Sequence, residues 1–280
     1  MRSVLILLLA GFPALAQTDT LVLSSRPGAA SRLTIRNFNG SIRVRPGSGD
    51  RVEVRARIDA RRGGDTRDVG FVITGLSVCT SYQGHGCDDQ SGLRDIRVTV
   101  DYTVVLPRGL ALTGYTGNGD IEVQQVVSDA DLHTGNGDVR VTDASGLSAF
   151  SGNGDIEVGA GSGVVKLHTG NGAIDFKGRP SEIDANTGNG DVVAQIGGST
   201  AARRLTLTTG SGDIRITLPA DIAGELDAQS GTGEVTSAFE VRATGRMVAG
   251  HLRGTIGKGG PGTAIRLRTG SGQVTIAKSS

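Results

Sequence analysis

Across the C-terminal two thirds of the chain, aliphatic residues come in pairs two positions apart, and a Gly-rich turn separates one pair from the next. The stretch Leu132-His133-Thr134-Gly135-Asn136-Gly137-Asp138-Val139-Arg140-Val141 is the clearest copy. Further copies can be aligned on Thr116, Ser151, Thr169, Thr187, Thr209, Ser230 and Thr269. Four and two places before that residue stand Leu147/Ala149, Val165/Leu167, Ile183/Ala185, Leu205/Leu207, Leu226/Ala228 and Ile265/Leu267. Five and seven places after it stand Ile121/Val123, Val139/Val141, Ile156/Val158, Ile214/Ile216 and Val274/Ile276. Alternation with period two predicts short strands with one apolar face, so each repeat holds two of them joined by Gly-Asn-Gly or its equivalent.

The aligned positions lie 18, 17, 18, 18, 22 and 21 residues apart, and a last gap of 39 is about two periods. A fixed period of this size is the signature of stacked coils. The rival architecture is an antiparallel meander or barrel, because Asn-Gly between alternating runs also signals a hairpin. Identical residue types at identical places favour stacking of one coil on the next. The expected fold is therefore all-β, a single-chain parallel β-solenoid of about ten coils with coils of about 18–22 residues.

The N-terminal part follows the pattern loosely. Arg32-Leu33-Thr34-Ile35 and Ser41-Ile42-Arg43-Val44 flank Asn37-Phe38-Asn39-Gly40 as a degenerate copy. Residues 52–58 alternate as a half-buried strand, and residues 95–106 return as a long strand with Ile96, Val98, Val100, Tyr102 and Val104 on one face. The segment between, about residues 60–94, loses the pattern and reads as a surface excursion. The expected organisation is 17–109 as an N-terminal β region with this loop insertion and 110–280 as regular repeats. Residues 250–256 read as a decayed coil with a loop after it. One further coil then ends the chain, leaving a C-terminal edge through which copies could self-associate, with Lys278 as its only protection against strand addition.

Composition sharpens this picture. Forty-five glycines fall mainly at turn positions, Trp is absent and aromatics make up 3%, so the core must be built from thin layers of Val, Ile, Leu and Ala. A formal net charge of +1 gives no electrostatic case for nucleic acid. Residues 1–16, with Arg2, an apolar run from Val4 to Ala10 and Ala14-Leu15-Ala16, read as a secretory signal peptide. The apolar run is too short to span a membrane, and none follows in the mature chain. Export predicts a periplasmic, cell-surface or secreted protein, and with it a disulfide between Cys79 and Cys87. The alternative there is a metal site with His85 as third ligand and Asp88 or Asp89 as fourth.

Stacking turns positions into columns. Asp120, Asp138, Asp155, Asp191 and Asp213 form one, and three carboxylates at about 4.8 Å spacing would repel without compensation, so Asp120, Asp138 and Asp155 are candidate cation ligands. The competing reading is that each accepts local backbone N–H bonds after a turn; Ala173, Glu234 and Gln273 in the same column support it. Calcium-binding nonapeptide repeats differ in placing Asp two residues after the second Gly. Asn118, Asn136, Asn153, Asn171 and Asn189 predict an amide ladder, and Glu122, Arg140 and Glu157 an outward column of alternating sign. Another outward column, Tyr115, His133, Phe150 and His168, offers flat side chains in a row. It is the candidate contact surface for sugar, peptide or a protein partner, against the reading that these are cross-rung stacking pairs. Two imidazoles two coils apart cannot share one metal. Between Arg26 and Arg62, ten Arg face Asp50, Glu53 and Asp59, which reads as a solvated basic face.

The Thr-Gly-Asn-Gly-Asp-Ile-x-Val units, with Asp101-Tyr102-Thr103-Val104-Val105-Leu106-Pro107-Arg108-Gly109 before them, resemble a bacterial β-strand-repeat family of unknown function whose members are named as candidate adhesins. The resemblance covers roughly residues 30–280 and implies an exported or membrane-tethered solenoid with no catalytic residues and no cofactor to carry over. Two function classes follow. One is a non-catalytic envelope or secreted adhesin-like scaffold that binds a protein or glycan of the cell envelope. The other is a polysaccharide-active β-helix enzyme, a lyase or hydrolase, which would need paired carboxylates or a proton abstractor in a cleft. Carboxylates spread along ladders, the absence of Trp and only three Tyr weigh against the enzyme.

Overall fold

In the computed structural model, residues 5–9, 18–27, 32–61, 64–85, 96–125, 129–198, 202–244, 249–258 and 262–279 are described. They are almost entirely β-strand. The chain forms two compact units, residues 1–140 and 141–280. The regular repeats begin near residue 110, but the unit boundary does not fall there, because the first regular strands stack on N-terminal ones.

Unit 1 contains β1 (Leu5–Leu9), β2 (Thr18–Ser25), β3 (Arg32–Asn39), β4 (Ile42–Gly47), β5 (Val52–Ala60), β6 (Val69–Thr74), β7 (Ser77–Tyr82), β8 (Val98–Pro107), β9 (Ala111–Asn118), β10 (Ile121–Val123), β11 (Ala130–Asn136) and the start of β12 (Val139–Asn153). The degenerate copy is a true coil: β3 lies parallel to β9 with Asn39 opposite Asn118, and β4 lies parallel to β10 with Ile42 opposite Ile121. β11 continues the stack on β9, with Thr134 opposite Thr116. On the other side of β3 and β4 lie β7 and β8, also parallel. The expected surface excursion over residues 60–94 is thus corrected in part. Val78, Cys79, Thr80 and Tyr82 of β7 are buried, because β7 supplies the rung that closes β3. Beyond that rung the chain turns antiparallel, with β5 on β8, β2 on β5, β1 on β2, and β6 on β7. β1 falls inside the segment read as a signal peptide; residues 1–4 and 10–17 lie outside the described residues.

Unit 2 contains the remainder of β12 with β13 (Ile156–Asn171), β14 (Ile174–Asn189), β15 (Val192–Ile196), β16 (Arg204–Ser211), β17 (Ile214–Leu218), β18 (Gly224–Ser230), β19 (Val235–Ser237), β20 (Val241–Ala243), β21 (His251–Ile256), β22 (Thr263–Ser271) and β23 (Val274–Lys278). β13 and β14 pair in parallel from Ile156 opposite Ile174 to Asn171 opposite Asn189, and β16 follows on β14 and β17 on β15. Parallel pairing throughout these coils excludes the hairpin meander.

Coil order departs from chain order at the end. β16 and β17 pair with β22 and β23, and these in turn pair with β18 and β19. The last coil in sequence is therefore inserted between two earlier ones. This corrects the expectation of an open C-terminal edge guarded by Lys278: β22 and β23 have neighbours on both sides, and the Lys278 ammonium sits 5.0 Å over the buried Phe239 ring. The reading of residues 250–256 as a decayed coil is also corrected. They form β21, which lies antiparallel to β18, with β20 antiparallel to β21. Gly254 and Ile256 of β21 are buried, yet the segment has no turn motif with which to continue a coil.

The core is the predicted one. Ile174, Phe176, Ile183 and Ala185 of one coil are each at most 1% exposed, and each large aliphatic or aromatic side chain so buried contributes about 1.5–3 kcal/mol. Gly190 explains the second glycine of the motif. Its φ is +141°, and a Cβ built on it would overlap the carbonyl oxygen of Gly172 one coil away.

Candidate functional site

The turn columns resolve into three hydrogen-bond ladders. The aligning Thr points inward and donates to a Gly carbonyl of the adjacent coil: Thr134 Oγ1 to Gly119 O, Thr187 Oγ1 to Gly172 O and Thr209 Oγ1 to Gly190 O, each at 2.8 Å. Thr269 reaches Gly212 at 2.8 Å and Ser230 reaches Gly272 at 2.7 Å, which repeats the inserted coil order in side chains. The amide ladder forms as expected, with Asn136 Nδ2 donating to Asn118 Oδ1 at 2.8 Å and Asn189 Nδ2 to Asn171 Oδ1 at 2.8 Å.

The aspartate column accepts backbone N–H bonds, but from the next coil. Asp120 Oδ1 accepts from the Asp138 backbone N–H at 2.9 Å, Asp155 Oδ1 from Ala173 N–H at 2.8 Å, and Asp213 Oδ1 from Gln273 N–H at 2.8 Å. The bond is not local to its own turn. Each carboxylate staples the next coil's backbone, which works equally well when Ala or Gln occupies the receiving position. Arg140 Nη2 also holds Asp138 Oδ2 at 2.6 Å, so each of Asp120, Asp138 and Asp155 has a proton donor on one carboxylate oxygen. Among the described residues, no group of three or more His, Cys, Asp or Glu is placed to hold a metal ion.

The flat column is brought together pairwise within each unit. In unit 1 the Tyr115 and His133 rings stack at 5.7 Å with planes 24° apart, and His133 Nε2 shares a 2.8 Å hydrogen bond with Asp131 Oδ1. In unit 2 the Phe150 and His168 rings stack at 5.5 Å and 7°. Tyr115 is 45% exposed and Phe150 38%, two of the four large hydrophobic side chains in that state among the described residues. The strands put them there by period two: Leu132 and Thr134 point into the core, and His133 between them must point out.

The same column continues in unit 2 with residues that chain order hides. After His168 come Asn186 and Thr208, then Arg268 from the inserted coil, Gln229, and His251 from the antiparallel β21. His251 Nε2 lies 2.9 Å from Asp227 Oδ1, and Arg268 lies 3.7 Å from Asp227 Oδ2. Partial burial works against ionisation of Asp227, but the His251 hydrogen bond and the charges of His251, Arg268 and Arg253 outweigh it and hold the carboxyl below the usual carboxylate range. The gap of 39 residues before Thr269 was the only sequence signal for this cluster.

The acids of the basic N-terminal stretch pair locally and compensate three of its ten Arg. Asp50, Glu53 and Asp59 each take an Arg, at 3.0 Å from Arg26, 3.9 Å from Arg55 and 3.1 Å from Arg57. Cys79 is buried in β7, whereas Cys87, Asp88 and Asp89 lie outside the described residues. No described helix is long and apolar enough to cross a membrane.

Each unit carries repeat ladders and inward aliphatic columns, and the Toastrack DUF4097 family pattern matches residues 30–277. The chain belongs to the Toastrack family. Among solved structures, this Toastrack chain is similar to a candidate adhesin of Bacteroides fragilis, at 11% identity and a TM-score of 0.45, covering 93% of this chain and 97% of that one. It is also similar to a candidate adhesin of Parabacteroides merdae, at 12% identity and a TM-score of 0.43, covering 95% and 96%. A candidate cell adhesion protein of Clostridium sporogenes aligns at 13% identity and a TM-score of 0.29, covering 94% and 100%. No protein of curated function matches the sequence.

Proposed function

We propose that this Toastrack protein is an exported, non-catalytic scaffold that binds a glycan or protein of the cell envelope through its outward aromatic pairs. The observation that carries this reading is the exposure of Tyr115 and Phe150, each stacked on an imidazole, on strands whose other outward positions are polar. Flat, pre-stacked rings give contact area at little entropic cost. The names of the structural neighbours are in keeping with an adhesin-like role, and the leader-like residues 1–16 with export. The turn carboxylates support a role without chemistry, because their oxygens are engaged by backbone and arginine donors and are not poised as an acid–base pair.

The test uses purified protein with plant and bacterial polysaccharides and with isolated envelope fractions. The expected outcome is retention on an envelope fraction, unchanged by EDTA, with no reducing or unsaturated ends released. Released ends would favour the polysaccharide-active enzyme, and binding that collapses on chelation would favour cation ligation by Asp120, Asp138 and Asp155.

A further inference from the structure

The inserted coil and the antiparallel strand beyond it build a second surface in unit 2, separate from the aromatic pairs. A groove of about 610 Å3 lies over the outer face of β14, β16, β22, β18 and β21, within the range of about 300–1,000 Å3 that ligand sites occupy. One row of side chains crosses it in strict register: Asp184, Thr206, Arg266, Asp227 and Arg253. Four inter-strand steps of about 4.8 Å make this row about 19 Å long, a length for an oligomer and not for a single small molecule. In the next row Ala264 separates Arg204 from Glu225, so the floor is lowest between a cation and an anion.

The polar groups of this face are largely unspent. Asp227 is committed to His251 and Arg268. Among the described residues the exposed side chains of Arg204 and Arg266 have no hydrogen-bond or ion-pair partner, and neither do the carboxylates of Asp184 and Glu225. Two features decide what could occupy the groove. Leu226 and Ile265 point into the core at 1% and 2% exposure, so the groove offers no apolar anchor for a peptide side chain. The backbones of β16, β22 and β18 are laddered on both sides, so no edge is free for strand addition. What remains is guanidinium groups that take carboxylates in bidentate fashion, beside carboxylates and threonines that take hydroxyl protons. DNA or a polyphosphate would meet Asp184 and Glu225 as like charges with no hydroxyl array to offset them.

We infer that this groove binds an acidic oligosaccharide, a chain of uronic-acid sugars, with carboxylates on Arg204 and Arg266 and ring hydroxyls on Asp184, Glu225 and Thr206. The test is calorimetric titration of the full chain with oligogalacturonate, a neutral maltooligosaccharide and oligoglutamate at matched ionic strength. The expected result is binding of oligogalacturonate at least about tenfold tighter than either other probe. The double variant Arg204→Ala/Arg266→Ala should lose at least about tenfold, the scale of one lost charge-assisted contact. Arg43→Ala, an exposed arginine of unit 1, should bind as wild type, and circular dichroism should be unchanged in all three proteins. No binding of oligogalacturonate, equal binding of oligoglutamate, or undiminished binding by a folded double variant would each overturn the inference. Tyr115→Ser/Phe150→Ser should leave this titration unaltered, so failure of the aromatic surface and failure of the groove are read separately.

Discussion

At the scale of single residues, the repeat motif is a set of answers to one geometric demand: each coil must lie about 4.8 Å from the next along its whole turn. Gly190 meets it through a positive φ and the lack of a Cβ, so Gly190→Ala should cost about 3 kcal/mol, from backbone strain and overlap together. Urea denaturation checks this, and a loss under about 1 kcal/mol would mean that the turn relaxes easily. The amide of Asn189 was legible as a ladder member from its column alone, whereas the hydroxyl of Thr187 marked the repeat without revealing the carbonyl it bonds. The partner of Asp155 was not, because the N–H it accepts from lies 18 residues on, at Ala173, and local turn chemistry gives no hint of so distant a donor. Cys79, buried in β7, is expected to pair with Cys87. A disulfide should hold the segment after β7 to the buried rung and contribute about 2–3 kcal/mol by restraining the unfolded chain. Thiol titration of the exported, unreduced protein should find no free thiol in native or denatured form, and two titrating thiols would refute it.

At the scale of elements, inward and outward faces were readable because strands alternate with period two, and the degenerate copy at β3 and β4 was readable because Asn39 and Ile42 keep the register of Asn118 and Ile121. Neighbour order at the C-terminal end was not. The apolar pairs Leu205/Leu207, Leu226/Ala228 and Ile265/Leu267 are interchangeable as stacking partners, so nothing local distinguishes β18 from β22 as the strand that follows β16. The outcome depends on β20 and β21, which need an edge to pair with and find it on β18. Engineered cysteines separate the two orders. Thr208→Cys with Arg268→Cys, opposite each other on adjacent strands, should oxidise to a crosslink, since about 4.8 Å between strands lies within disulfide reach. Thr208→Cys with Gln229→Cys should not crosslink, because β22 stands between them. The converse pattern by peptide mapping would restore chain order.

At the scale of the whole molecule, the repeats present long rows of outward side chains. Parallel stacking repeats an outward position at a fixed interval, which multiplies weak contacts along a polymer. The regular carboxylates are engaged by backbone, so under the proposed function recognition falls to the irregular outward residues. Those residues change from coil to coil: aromatic with imidazole at Tyr115, His133, Phe150 and His168, then amide, hydroxyl and guanidinium further along unit 2. The account stands or falls on the first of these sets. Wild-type protein and the Tyr115→Ser/Phe150→Ser variant, both shown to be folded by circular dichroism, should be compared for retention on isolated cell-envelope material with and without EDTA. The account predicts retention of the wild type in both conditions and at least about a tenfold loss in the variant, the scale of losing two stacking contacts; equal retention of the variant would contradict it.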